Sequence, residues 1–307
     1  MSRSLRTAVS AALIALSCLL LPFGALAAWA AYDLTDTGRY VTTMAPLASD
    51  PDVRDAVVDT VGDGILRRAT AERGPLHPEV SPFVHDAVRS FTHTRAYRTA
   101  WDAGNEAAHS AVMAALHDDR SGEVTVDLAP VATRVREQLA AERVPFADRV
   151  PLAHTRVALL PPGELTTLRK GYHVLDVAGF WLPLAAVVLA VAGIAVAACR
   201  RRAVTAAALG TALGGAFLGL AVALGRRLTL ADLPDPAHRP AAGAVYDALT
   251  TTLRATSWFL LAVGLGLAAT VHLAHAVRAA HRRRGSPGAA PAPVTSPAPP
   301  EPTHAQV

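Results

Sequence analysis

Residues 174–225, VLDVAGFWLPLAAVVLAVAGIAVAACRRRAVTAAALGTALGGAFLGLAVALG, decide the fold of this 307-residue chain. They form two long apolar runs separated by three consecutive arginines. A helix needs about 20 apolar residues to cross the hydrocarbon core of a bilayer. In lipid such a segment has to be helical, because only a helix satisfies every backbone polar group within itself. The stretch therefore predicts two membrane helices, over 174–198 and 203–225.

Two more apolar runs complete the set, at residues 8–31 and 255–277. A long polar region separates the first run from the other three, so we expect a mainly α-helical fold in which four transmembrane helices carry a folded domain outside the lipid. The predicted organisation is a cytoplasmic N-terminus with the first membrane helix over 1–31, an extracytoplasmic domain over 32–173, the other three membrane helices and an outer loop (226–254) over 174–277, and a disordered cytoplasmic tail over 278–307.

The composition agrees with a chain that is part membrane and part polar domain. Hydrophobic residues make up 51% of the sequence, charged residues 18%, and the mean hydropathy is +0.29. The net charge of +4 is unevenly placed, because residues 32–173 carry more acidic than basic side chains. Basic residues at the ends of apolar runs are topology signals and headgroup anchors, so the predicted partner is a lipid bilayer and not a nucleic acid.

The arginine clusters also predict the orientation. With four crossings, all of them fall on one side of the membrane, and the positive-inside rule makes this side cytoplasmic for both termini. These residues are Arg3, Arg6, Arg200, Arg201, Arg202, Arg278, Arg282, Arg283 and Arg284. One conflict remains, because the predicted outer loop carries Arg226, Arg227, Arg239 and Arg254, partly offset by Asp232, Asp235 and Asp247.

The first apolar run has two interpretations. A basic start, an apolar stretch and the small-residue sequence Ala25-Leu26-Ala27 are typical of a cleaved signal peptide. The length of the stretch, about 20 residues, instead favours a retained membrane anchor. The anchor is the preferred prediction, and the signal peptide is the alternative.

Local signals in residues 32–173 predict helices and one small β ribbon. Ser49 or Asp50 before Pro51, and Ser81 before Pro82, are typical helix starts. Residues 123–128 alternate apolar and polar side chains, which is typical of a strand, and pairing with 156–160 would give a two-stranded ribbon. A last helix starting at Pro161-Pro162 is expected to run through Lys170 into the second membrane segment.

Glu106 and His109 are the only weak candidates for metal ligands. Their spacing places a carboxylate and an imidazole on one helical face, but di-iron carboxylate bundles use two such pairs on helices. The other such spacing in this chain, Glu301 to His304, falls in the tail that is predicted to be disordered. A polar helix face is therefore the expected role, with no cofactor. The sequence contains no nucleophile elbow, phosphate loop or dinucleotide fingerprint, so we expect no enzymatic activity and assign no catalytic residue.

The third apolar run contains four glycines, Gly210, Gly214, Gly215 and Gly219, arranged as two consecutive Gly-x-x-x-Gly pairs. Glycines at this spacing let membrane helices approach closely. We expect packing within the chain, with homodimerisation as the alternative. The centres of the four runs carry no ionisable side chain, which disfavours an ion-coupled pump or carrier.

Four stretches of the chain resemble a family of actinobacterial, Streptomyces-like, integral membrane proteins. They are YVTTMAPLASDPDVR at 40–54, WDAGNEAAH at 101–109, VTVDLAPV at 124–131 and GYHVLDVAGFWLPLAAVVLA at 171–190. The resemblance implies the same arrangement of one helix, an extracytoplasmic domain and three helices. It implies no biochemical activity and no site residues.

Two functions fit this organisation. The first is a structural or interaction protein of the cell envelope, whose outer domain contacts another envelope protein, a wall component or its own copy. The second is a transport-associated or mechanotransmitting subunit, because the order of one helix, an outer domain and three helices resembles the FtsX and MacB class of ABC-transporter membrane subunits. The expected link between the second and third helices, Cys199–Arg202, is too short for a coupling element and favours the first function.

Overall fold

The computed structural model describes residues 2–75, 77–117, 124–127, 129–141, 156–160 and 162–284. Of the described residues, 2–268 belong to one compact unit and 269–284 to a second. The α-helices are α1 (Arg3–Tyr32), α2 (Thr37–Met44), α3 (Pro51–Arg73), α4 (Val80–Thr92), α5 (Arg95–His117), α6 (Ala129–Ala141), α7 (Pro162–Val196), α8 (Arg200–Ala231), α9 (Arg239–Leu249) and α10 (Thr251–Arg284). Short 3₁₀ turns cover Ala45–Ser49 and Pro236–His238.

Four of these helices contain a stretch long and apolar enough to cross a membrane: α1, Arg169–Val196 of α7, α8, and Thr251–Arg278 of α10. The prediction of a mainly helical chain with four membrane-length helices is confirmed, and the protein has the character of a multi-pass membrane protein. The link between α7 and α8 is residues 197–199. Arg200, Arg201 and Arg202 therefore form the first turn of α8 and are not part of the link.

Helix α1 packs against both α7 and α8. The hydroxyls of Ser10 and Ser17 are buried and donate hydrogen bonds, each 2.7 Å long, to the carbonyls of Gly193 and Ala186 on α7. Hydroxyl-to-carbonyl bonds of this kind hold helices together in lipid, where hydrophobic burial contributes little to association. The α1–α7 pair is thus joined by polar contacts in its apolar middle.

A second cluster of helices surrounds Met44, Leu47 and Val53, which are buried. The Asp50 carboxylate caps α3 by accepting from the backbone amides of Asp52 and Val53, and Pro51 occupies the first turn. The Trp101 indole of α5 donates to the Met44 carbonyl, 2.9 Å away. Apolar side chains of α9 pack on the same cluster. The predicted outer loop 226–254 is therefore largely helical and joins this core.

Two short strands, β1 (Val124–Asp127) and β2 (Arg156–Leu160), pair antiparallel, with Val124 opposite Leu160 and Asp127 opposite Arg156. The register is irregular between Val124 and Thr125. Whether this pair belongs to a domain outside the membrane stays a prediction. At the other end, α10 continues through Arg284, into the segment predicted to be a disordered tail, and residues 285–307 lie outside the described residues.

Candidate functional site

Glu106 and His109 are both engaged in contacts between helices, and each has its own partners. Glu106 Oε2 accepts from Arg134 Nη1 of α6 at 2.5 Å. His109 is buried, with Nδ1 3.0 Å from Thr37 Oγ1 and Nε2 2.8 Å from the Leu34 carbonyl. Since a carbonyl can only accept, Nε2 carries a proton, and in the neutral form of the ring Nδ1 accepts from the Thr37 hydroxyl. Both ring nitrogens are thereby occupied in holding α5 to the start of α2.

No group of three or more metal-ligating side chains occurs among the residues that the structure describes. The Glu106 and His109 pair, the weak metal candidate of the sequence, thus lies in a setting without further ligands in that part of the chain. The ring of His109 also stacks on Tyr40, with the centroids 4.3 Å apart. These contacts assign the two residues to the packing of α5 against α2 and α6.

The four glycines of α8 face two different helices. A Cβ at Gly210 would collide with Cys18 of α1, and one at Gly214 would lie 3.2 Å from Leu21 of the same helix. A Cβ at Gly215 would lie 2.8 Å from the backbone of α10, at Leu261 N and Ser257 O, and one at Gly219 would lie 3.3 Å from Ser257 Oγ. Each Gly-x-x-x-Gly pair therefore serves a separate contact within the chain.

The small-residue contact between α1 and α7 was not predicted from the sequence. Ser10, Ser17 and Gly24 are seven residues apart on α1, and Gly179, Ala186 and Gly193 are seven apart on α7. A Cβ at Gly193 would lie 2.8 Å from Ile14 Cγ1, and one at Gly179 would lie 2.5 Å from Ala31 Cβ. A seven-residue repeat of small side chains keeps one face of each helix against its partner over several turns. That repeat is visible in the sequence and could have predicted the pairing.

Of the arginines used to predict orientation, Arg6 makes the clearest contact in the described part of the chain. Arg6 Nε donates to the carbonyl of Val196 at 3.3 Å, at the C-terminal end of α7, where helix carbonyls have no partner within the helix. Arg3, Arg200, Arg201, Arg202 and Arg278 are exposed, and the side chains of Arg282, Arg283 and Arg284 lie outside the described residues. Arg6, at the start of α1, therefore also caps the C-terminal end of α7.

A cleft of about 580 Å³ lies between α8, α9 and α10. Its deep part is apolar and lies along Gly215, Val222 and Leu261, with Trp258 at its side. Its other end is polar and is formed by three arginines and one aspartate: Arg226, Arg227, Arg254 and Asp247. We call this feature the α8–α10 cleft.

Asp247 of α9 bridges the two neighbouring helices at the polar end of the cleft. Its carboxylate accepts from Arg226 Nε at 2.8 Å and from Arg226 Nη2 at 3.2 Å, and it also accepts from Arg254 Nη2 of α10. Burial of this carboxyl raises its pKa, but the hydrogen bonds from Arg226 and Arg254 outweigh that effect, so the pKa lies below its ordinary value. Two of the four outer-loop arginines that contradicted the positive-inside rule, Arg226 and Arg254, are thus paired to one carboxylate.

Two further contacts position α9 above the cleft. The Tyr246 hydroxyl donates to the Val222 carbonyl of α8 at 2.9 Å, and a Cβ at Gly225 would lie 2.7 Å from that hydroxyl. On the α1 side, Trp29 Nε1 donates to the Leu249 carbonyl at 3.2 Å. The Tyr246 hydroxyl is protonated at neutral pH and can donate, and burial raises its pKa further above the ordinary value of 10.0. These bonds fix α9 between α1 and α8.

Helix α4 presents large apolar side chains to solvent outside the four apolar spans. Phe83 is 73% exposed and Phe91 is 37% exposed, and Ala87 between them is exposed as well. The three positions lie four residues apart and share one face of the helix. We call this face the α4 stripe. Val88, on another face, is buried.

Comparison of the chain with protein-family models, with curated proteins and with solved structures found no match to any of them.

Proposed function

We propose that this protein is a multi-pass membrane protein of the cell envelope that acts as a structural or interaction protein through the helices outside its membrane spans. The proposal places α2 to α6 and the β1–β2 ribbon on the extracytoplasmic side, and the α7–α8 link and both ends of the chain on the cytoplasmic side. It includes no catalytic step. The partner is an envelope protein, a wall component or a second copy of the chain.

The single observation that supports an interaction role is the α4 stripe. A fully exposed Phe leaves roughly 1.5–3 kcal/mol of burial free energy unused, and Phe83 is close to that limit. An aromatic residue flanked along one helical face by Ala87 and Phe91 has the composition of a helix that docks into an apolar groove. Phe91 also contacts Tyr97 of α5 edge to face, with the ring centroids 5.9 Å apart. Phe83 is therefore the part of the stripe that packing within the described chain explains least.

The rigid connection between these helices and the membrane spans supports the same proposal. Helix α7 runs without a break from Pro162 to Val196. Helix α9 packs on the Met44–Val53 cluster and also bonds to α1 and α8. A partner held at α4 would therefore be held at a fixed position relative to the bilayer.

Photo-crosslinking from the α4 stripe tests the proposal. A photoreactive amino acid in place of Phe83 is expected to capture one defined partner protein or wall component, or a second copy of the chain, in intact cells. The matched control carries the photoreactive residue at Arg89, which is exposed on the same helix but lies about 120° around it. Mass spectrometry of the adducts identifies the partner.

Capture of one defined partner from position 83 and not from position 89 supports the proposal. Equal labelling from both positions, or adducts with lipid alone, would contradict it. The alternative function, a subunit coupled to an ATPase, stays a prediction, and the short link of residues 197–199 argues against it. Specific copurification of an ATPase with the full-length protein would favour that alternative. Membership of the actinobacterial family that the chain resembles also stays a prediction.

A further inference from the structure

The polar end of the α8–α10 cleft carries more positive charge than the chain itself neutralises. Asp247 is shared by Arg226 and Arg254, whose side chains remain 41% and 43% exposed. Arg227 follows directly on α8, lines the cleft and is exposed, and no carboxylate of the described residues lies within ion-pair distance of it. Three guanidinium groups against one carboxylate leave a net charge of +2, which an anionic group can balance.

The apolar part of the cleft has the depth of one lipid leaflet. Arg226 and Gly215 are eleven residues apart on α8, which corresponds to about 16 Å along the helix. Half of a hydrocarbon core of about 30 Å is about 15 Å. A molecule whose charged group sits at the arginines can therefore extend an alkyl chain to the level of Gly215 without leaving the cleft.

The cleft is open because α8 and α10 touch only at its apolar end, and α8 carries small side chains from there towards the arginines. The backbones touch near Gly215 and Gly264, where a Cβ at Gly264 would lie 2.5 Å from the carbonyl of Ala208 and the amide of Ala212. Further along α8, Ala216, Gly219 and Ala223 line the cleft with little or no side chain. The result is a wedge of space with an apolar floor and a cationic mouth.

We propose that the α8–α10 cleft binds one anionic phospholipid from the leaflet on the side of α9. The phosphate lies against Arg226, Arg227 and Arg254, and one acyl chain lies along Gly219 and Val222 towards Gly215. Guanidinium groups match phosphate oxygens in charge and in bidentate geometry, and a basic pocket between membrane helices is suited to lipid headgroups. This inference requires membrane insertion and is independent of the role proposed for α4.

The length of the apolar part favours a lipid over free phosphate. A free phosphate would use the arginines alone and leave the floor at Gly215, Val222 and Leu261 uncovered. An acyl chain matches this floor in polarity and in length, which inorganic phosphate cannot do. The phosphate chemistry is common to both ligands, so the experiment has to separate them.

Native mass spectrometry of the full-length protein in detergent, titrated with phosphatidylglycerol, measures the binding directly. We expect one lipid to be retained, and phosphatidylcholine with the same acyl chains to bind at least about fivefold more weakly, since one favourable charge contact near a membrane is worth about 1 kcal/mol. Inorganic phosphate at millimolar concentration is expected not to displace the lipid.

Two pairs of variants locate the site. Arg227→Gln removes the arginine that has no ion-pair partner in the described chain, and it is expected to weaken phosphatidylglycerol binding about fivefold. The matched control Arg239→Gln removes an exposed arginine outside the cleft and is expected to have no effect. Ala223→Leu fills the cleft from an exposed position and should also weaken binding, whereas Ala221→Leu, exposed on α8 but outside the cleft, should not.

Equal binding of phosphatidylcholine and phosphatidylglycerol would overturn the proposal, because the arginines would then play no part. Displacement of the lipid by inorganic phosphate alone would show an anion site and overturn the lipid assignment. Equal effects of Arg227→Gln and Arg239→Gln, with no effect of Ala223→Leu, would place any bound lipid elsewhere. Retention of a second copy of the chain in this cleft in place of a lipid would also overturn it.

Discussion

The α1–α7 contact and the α8–α10 contact are both built from small residues, but the first is continuous and the second opens into a cleft. Along α1–α7, small side chains recur every seven residues, and Ser10 and Ser17 add buried hydrogen bonds, so close approach continues over several turns. Between α8 and α10, close backbone approach is concentrated around Gly215 and Gly264, and the cleft opens above it. The spacing of small residues thus decides whether two apolar helices stay in contact over several turns or leave an open cleft.

The largest effect is expected at the single close crossing of α8 and α10. Gly264→Leu would place a side chain against the backbone of Ala208 and Ala212, which cannot move aside as a flexible side chain can. We expect a loss of roughly 3 kcal/mol in the free energy of unfolding, the upper end of typical overpacking costs. Thermal unfolding of the purified full-length protein measures it.

The matched control is Gly266→Leu, two residues further along the same helix, where a Cβ would meet nothing within 4 Å. This variant is expected to unfold at the wild-type temperature. If both leucine variants unfold at the same lowered temperature, the crossing is not at Gly264.

A smaller loss of stability is expected at the close contact between α1 and α7, because this contact is spread over several turns of both helices. In Gly179→Leu the new side chain would meet Ala31 and the Ala27 carbonyl, with an expected loss of roughly 2 kcal/mol. The control is Gly171→Leu on the same helix, where nothing lies within 4 Å. Thermal unfolding of both proteins checks the comparison, and equal midpoints would refute a close contact at this level.

The hydrogen bonds of Ser10 and Ser17 between α1 and α7 are expected to contribute less to the free energy of unfolding than the close packing at Gly179. The double variant Ser10→Ala and Ser17→Ala removes two interhelical hydrogen bonds, worth about 1–2 kcal/mol together in a membrane protein. Thr211→Val is the control, because the Thr211 hydroxyl bonds only to the Ala207 carbonyl of its own helix. Unfolding in a denaturant series compares the two, and a control that loses as much as the serine variant would contradict the assignment.

The smallest effect is expected from the carboxylate at the mouth of the cleft, because Asp247 is 37% exposed and its ion pairs are screened by water. Its pKa is lowered by folding, so its contribution is present above the ordinary value near 3.8 and is lost as the pH falls through the lower folded value. Stability measured from pH 7 downwards should therefore decline less in Asp247→Asn than in the wild type. Identical pH profiles would show that the bridge contributes nothing.

The sequence predicts the four membrane-length helices because apolar length is a local property. It also predicts the start of α3, since Asp50, one of the two candidate caps, accepts the hydrogen bonds. The Ser81-Pro82 signal predicts the start of α4 to within two residues, since the helix begins at Val80, but Ser81 is not its cap. The Ser81 carbonyl instead accepts from His85 Nδ1. That bond holds the first turn without a side-chain cap.

The cleft was not predicted, because its parts come from three elements distant in sequence. Arg226 and Arg254 contradict the positive-inside rule when they are read one by one, and only the fold shows that Asp247 pairs with both. The Glu106 and His109 spacing predicted a shared helical face, but it could not show that Arg134 and Thr37 would occupy the two side chains. The glycines of α8 predicted close packing, and their two partners depend on the tertiary arrangement.

Membrane topology is the claim on which the whole account depends, and the two cysteines of the chain allow it to be tested directly. Cys199 is exposed in the α7–α8 link, and Cys18 lies within α1. In a Cys18→Ala background, a membrane-impermeant maleimide is expected to leave Cys199 unlabelled in intact cells and to label it after permeabilisation. In the Cys18→Ala, Cys199→Ala background, Ser90→Cys on α4 is expected to be labelled in intact cells. Labelling of Cys199 in intact cells, or protection of Ser90→Cys until permeabilisation, would contradict the account.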